Sequence, residues 1–104
     1  TVNSIEWYKD PSDSIWKVKT DCKVVDNTCD YWLTVEAELI IKSSGVVVAV
    51  DANVSHGQKF TAKSTLSSGL GGGTAPTGYS VRISFYDSDD LCVPYVQEFD
   101  VDTF

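Results

Sequence analysis

Methionine is absent from these 104 residues, histidine occurs once, and proline and cysteine occur three times each. Without Met, Thr1 is not an initiator, so the chain reads as a processed mature protein or an excised domain. One histidine excludes a His-pair metal site and leaves His56 as the single imidazole for general-base work. Cations are scarce: Lys+Arg 8 against Asp+Glu 15 gives a net charge of −7. That balance argues against nucleic acid, whose phosphates call for a basic face, and against anionic membrane surfaces. No apolar run approaches the roughly 20 residues of a membrane span, so membrane insertion is not expected. The longest such run, Val46 to Val50, is strand-sized. A signal peptide is also missing, which decides nothing, because a mature secreted protein has lost its own.

What is present fits one domain, residues 1–104, with enough apolar side chains for a core: 42% of residues are hydrophobic and 12% aromatic. At 22% charged, the chain is not of the disordered type. The periodicity is two throughout. Leu33, Val35, Ala37, Leu39 and Ile41 alternate with polar residues that include Thr34, Glu36, Glu38 and Lys42. Such alternation describes a strand with one dry face and one wet face. Trp16 to Val24, Phe60 to Leu66 and Tyr79 to Phe85 alternate in the same way. Turn signals punctuate these runs at Asp10-Pro11-Ser12-Asp13, Ser43-Ser44-Gly45, Ser55-His56-Gly57 and Asp87 to Asp90. The pattern predicts strands near 3–9, 15–25, 31–42, 46–54, 58–66, 78–87 and 93–101. The glycine-rich stretch 67–78 is expected to be a flexible loop.

About seven short strands in about 100 residues predict an all-β fold, a single-domain antiparallel β-sandwich. The run from Gly78 to Asp87 looks like a late strand of an immunoglobulin-like domain, and His56-Gly57-Gln58-Lys59-Phe60 resembles the hairpin that often precedes one. The resemblance implies an immunoglobulin-like sandwich. The Cys…Trp…Cys spacing of antibody domains is absent, and the likeness implies no activity.

Three cysteines are an odd number. Cys22 and Cys29 flank the polar tip Asp26-Asn27-Thr28, and facing strands near a turn bring two cysteines within disulfide reach. Cys22–Cys92 is the rival pairing, closing a longer loop, and three buried thiols in a reducing compartment are the remaining alternative. The first pairing leaves Cys92 for an intermolecular bridge. A homodimer through Cys92 or an edge strand is therefore among the expectations. Asn53-Val54-Ser55 is a glycosylation sequon. Together these features point to a secreted or extracellular protein.

No catalytic constellation is legible. His56 has no Gly-x-Ser-x-Gly elbow for company and falls in a predicted turn. Cys22, Cys29, Cys92 and His56 would make a Cys₃His set, but structural zinc sites usually have cysteines two to four residues apart, and the spacing here is Cys-x₆-Cys. Asp87, Asp89 and Asp90 are a candidate Ca²⁺ site, joined by Glu98, Asp100 and Asp102 if the last strand runs alongside. A solvated acidic turn explains the same residues, and no cofactor is expected.

Aromatic residues carry the functional signal. Alternation places Trp16, Phe60, Tyr79 and Phe85 inside and leaves Trp32 and Tyr86 outside. Tyr8 is outward if Ile5 and Trp7 are inward, and Ile40 is outward as well. Exposed Trp and Tyr bury large areas with few rotamers to freeze, which suits protein interfaces, and their flat rings also stack on sugars. The expectation is a non-catalytic extracellular interaction or adhesion module, not an enzyme. It would bind a protein partner through Trp32, Tyr86, Tyr8 and Ile40, an edge strand or the end loops. The alternatives are a carbohydrate-binding module that takes polysaccharide on the same aromatics, and a small secreted inhibitor presenting the segment from Asp26 to Tyr31.

Overall fold

Every run with period-two alternation becomes an antiparallel strand in the computed structural model, which describes residues 2–25, 32–86 and 95–104. The strands are β1 (Val2–Lys9), β2 (Trp16–Val24), β3 (Trp32–Ile41), β4 (Val47–His56), β5 (Phe60–Ser67), β6 (Tyr79–Tyr86) and β7 (Tyr95–Asp100). They form two sheets, a three-stranded one in the order β1-β2-β5 and a four-stranded one in the order β4-β3-β6-β7. All pairings are antiparallel. Among the described residues there is no helix, and hence none able to cross a membrane.

The two sheets enclose one core. Val18, Cys22, Ala62 and Leu66 face it from the first sheet, and Val35, Leu39, Val81 and Ile83 face it from the second. Each of the buried Val, Leu and Ile side chains among them contributes roughly 1.5–3 kcal/mol. Trp7 meets Tyr79 edge to face at 5.6 Å, which closes the core between β1 and β6. Two inward positions are polar. Thr20 and Ser64 are both buried, although alternation alone would fill them with apolar residues.

Turns follow their local chemistry. Asp10 Oδ1 accepts hydrogen bonds from the Ser12 N–H and hydroxyl, and Lys17 Nζ joins the Asp10 and Asp13 carboxylates at 2.7 and 2.9 Å. Between β3 and β4, the N–H of Gly45 returns to the Ile41 carbonyl at 2.8 Å. Its φ of 74° is one that glycine adopts without strain.

Residues 68–72 lie against the β1–β2 end of the molecule. The Trp16 N–H donates to the Leu70 carbonyl, and the Trp16 indole and Lys9 Nζ both donate to the Gly72 carbonyl. Donors on β1 and β2 thus supply the contacts that a glycine cluster lacks in its own side chains.

β4 departs most from expectation. Its strand continues through Ser55 and His56, where the sequence reads as a turn. Its apolar face is the outer one. Val48, Val50, Ala52 and Val54 point to solvent, while Ala49, Asp51, Asn53 and Ser55 turn toward β5. The reason is its place at the sheet edge. There its inner face overhangs the main chain of β5 instead of the apolar core. Asn53 Nδ2 donates to the Lys63 carbonyl at 2.8 Å and the Ser64 hydroxyl at 3.1 Å, and Asp51 Oδ2 accepts from the Thr65 N–H at 3.1 Å.

Candidate functional site

The outer face of the four-stranded sheet divides into two halves of different chemistry. At one end, Thr34 on β3 is flanked by Val54 on β4 and Tyr86 on β6, and the next residue on that face of β3, Trp32, lies opposite His56. Trp32 is 58% exposed, and its ring lies 5.4 Å from the His56 imidazole at an interplanar angle of 52°. Tyr86 is 37% exposed. Its hydroxyl donates to Glu36 Oε2 at 3.1 Å, and this bond to a carboxylate raises the phenol's pKa above its ordinary value. The result is an aromatic patch bordered by the valines of β4.

Toward the other end, charges pair off. Arg82 forms a two-pronged bond to Glu38, Nε to Oε1 at 2.9 Å and Nη2 to Oε2 at 3.0 Å. Lys42 Nζ holds Asp100 at 2.9 Å and Asp102 at 3.0 Å. Asp102 also accepts from the Gly78 N–H, and these bonds hold its carboxyl below the usual range, with the backbone bond the largest cause.

The four residues predicted to bind do not form one surface. Trp32 and Tyr86 share the patch just described. Tyr8 lies on the outer face of the opposite sheet, under Lys19 Nζ at 4.0 Å from the ring centroid, with its hydroxyl donating to Asp10. Ile40 is outward, as alternation requires, but it is only 5% exposed and cannot anchor a partner. It lines a shallow depression with Lys42, Gly45, Ser80, Glu98 and Asp100. Long charged side chains of this kind cover apolar surface with their stems. Missing from the sequence prediction were Val50, Val54 and His56. The signal was available in the alternation of valines with Asp51, Asn53 and Ser55, but it reads naturally as valines inside.

The candidate metal and disulfide residues fare as follows. Asp87, Asp89, Asp90, Cys29 and Cys92 lie outside the described residues, as does the segment proposed for an inhibitor loop. Asp100 closes β7, Asp102 lies two residues beyond it, and both hold Lys42. Cys22 is a free thiol facing the core at 1% exposure, and the structure contains no bridge from it to either proposed partner. Burial raises its pKa, as expected for a thiol whose charged form would be poorly solvated. His56 sits on the outer face of the other sheet, so Cys22 and His56 cannot share a zinc ion. Among the described residues, no group of three His, Cys, Asp or Glu side chains could hold a metal. The sequon residue Asn53 already uses its Nδ2 as an inter-sheet donor.

Comparison with known proteins returned no match: no family model fits the chain, and neither a curated protein nor a solved structure matches it significantly.

Proposed function

We propose that this chain is a non-catalytic extracellular interaction module, an immunoglobulin-like sandwich that docks another protein through the end of its four-stranded sheet. The immunoglobulin-like reading is supported by the strand order, with β1-β2-β5 facing β4-β3-β6-β7. The docking reading rests on one observation: Trp32 is more than half exposed beside His56, Val54 and Tyr86. A large ring left in water on a sheet that has already filled its inner face is the kind of group that anchors interfaces. The valines along β4 favour a protein over a polysaccharide as the ligand, because sugar hydroxyls need polar partners around the stacking ring.

The test is pull-down from extracellular fluid or cell-surface extract, with binding then measured for Trp32→Ala against wild type. The expected loss is at least about 2 kcal/mol, the threshold of a hot-spot anchor. A folded Trp32→Ala protein that binds its partner with wild-type affinity removes this assignment. Tryptophan fluorescence that responds to cellulose, xylan, chitin or mannan fragments would shift the reading to carbohydrate.

A further inference from the structure

We infer that the partner docking beside Trp32 is cationic, a protein segment whose arginine or lysine side chains meet the carboxylates of this sheet face. The inference rests on the docking reading above and names the chemistry of its partner. Charge is divided unevenly between the two outer faces of the sandwich. On the four-stranded sheet, Glu36, Glu38, Glu98 and Asp100 stand against Arg82 and Lys42. On the three-stranded sheet the balance is reversed, with Lys17, Lys19, Lys23 and Lys63 against Glu6 and Asp21. Even with Lys17 held by Asp10 and Asp13, that second face has no acid excess. The exposed aromatic rings thus lie on the acidic face of the molecule.

Two of its carboxylates are not neutralised by the fold. Arg82 spends both prongs on Glu38, and Lys42 is held by Asp100 and Asp102. Glu36 and Glu98 therefore have no ion-pair partner among the described residues, and Glu98 is exposed. Glu36 accepts one bond, from the uncharged Tyr86 hydroxyl to Oε2, whereas a carboxylate has about four acceptor sites. Its cross-strand neighbours, Ala52 on β4 and Ser84 on β6, carry no charge.

These free carboxylates select the occupant. A neutral surface seated on the patch would strip water from Glu36 and return nothing, which burial of a charge penalises heavily. A second copy, at net charge −7, would set the same carboxylates against their own kind. A cationic segment supplies what is missing. Trp32 and Glu36 lie on one face of β3, four residues and about 13 Å apart, with Thr34 between them and Tyr86 beside it. An extended segment laid along β3 spaces its own alternate side chains in the same way. One basic side chain can then stack on the Trp32 ring as a cation–π contact while another reaches Glu36.

The experiment titrates hexa-arginine amide into the isotope-labelled full chain at physiological salt and follows it by NMR, with hexaglutamate as counter-probe. The expected result is saturable shifts at the Trp32 indole and at the amides of Thr34, Glu36 and Tyr86. Glu36→Gln is isosteric and keeps an acceptor for the Tyr86 hydroxyl. It should weaken binding about two- to fivefold, the range of an exposed ion pair, and Trp32→Ala should weaken it at least as much. Glu6→Gln makes the same charge change on the opposite sheet and should leave binding unchanged. Near-UV circular dichroism checks that each variant is folded. Absence of saturation, shifts centred on another face, or equal losses in Glu36→Gln and Glu6→Gln overturn the inference. So does equal binding of hexaglutamate, or a face that answers only to neutral oligosaccharides or to a second copy. The pulled-down partner separates this inference from the docking reading. If that partner needs Trp32 but tolerates Glu36→Gln and high salt, docking stands and the cationic partner falls. If it binds Trp32→Ala as well as wild type, the docking reading falls and takes this inference with it.

Discussion

Asn53 on β4 and Lys63 on β5 belong to different sheets, yet the Asn53 amide donates to the Lys63 carbonyl at 2.8 Å. With Asp51 accepting from Thr65, it ties the open side of the sandwich through side chains where no backbone ladder can form. Removing the amide leaves the Lys63 carbonyl without this donor. Asn53→Ala is therefore expected to cost about 1 kcal/mol, as for a typical intramolecular hydrogen bond. Urea denaturation would register the loss as a lower midpoint with unchanged slope. An unchanged midpoint would show that the tie contributes nothing to stability.

Cys22 offers a second test. Its sulfur is enclosed in the core, opposite Ala62 on β5, and burial disfavours the thiolate that alkylating agents need. Iodoacetamide should modify it only as fast as the protein opens. A mass-resolved time course with and without denaturant checks this. Labelling of Cys22 at a free-thiol rate in native buffer would place it outside the core. The companion variant Cys22→Ala should fold, at a cost of no more than about 2 kcal/mol for one lost sulfur in a packed site.

How much of this was legible in the sequence depends on where each strand sits. β3 and β6 lie in the middle of their sheet, with a full inner face over the core, and Leu33 to Ile41 and Tyr79 to Phe85 alternate accordingly. β4 is an edge strand, and the rule inverts there: the longest apolar run in the chain, Val46 to Val50, is largely exposed. Periodicity reports that two faces differ, not which one meets the core, and strand order is invisible to it. The same limit explains the binding residues. Alternation correctly put Trp32, Tyr86, Tyr8 and Ile40 outward. It could not show that Tyr8 belongs to the other sheet, or that neighbours cover Ile40.

The two lysine–carboxylate clusters predict the acid limb of stability. Lys17 is the largest cause lowering both Asp10 and Asp13, while for Asp102 the Gly78 N–H leads and Lys42 follows. Asp10, Asp13 and Asp102 therefore have folded-state pKa values below their unfolded ones, ordinarily about 3.9. A depressed carboxylate stabilises the fold fully above its unfolded pKa, and that contribution is lost as pH falls through the folded value. Stability should be flat from neutral pH down to about 4 and then decline. The replacement Lys17→Met should flatten part of that decline, which thermal melts at stepped pH would show. An acid limb identical in Lys17→Met and wild type would mean that these surface pairs carry no net linkage.

Trp7 presents the opposite case, a polar atom that the fold leaves unanswered. Its indole N–H is buried and has no acceptor among the described residues, while its ring packs edge to face on Tyr79 at 5.6 Å. The ring and the N–H therefore pull in different directions. Burying an unpaired donor costs about 1–3 kcal/mol, whereas the aromatic pair contributes about 0.5–1.5 kcal/mol beyond its buried area. Trp7→Phe keeps a ring against Tyr79 and deletes the donor, at the expense of some apolar area. It should fall within about 1 kcal/mol of wild type, and Trp7→Ala should lose about 3–5 kcal/mol. Denaturant melts of the pair separate the two contributions. If Trp7→Phe is as damaging as Trp7→Ala, then the N–H has a partner in solution and carries no such cost.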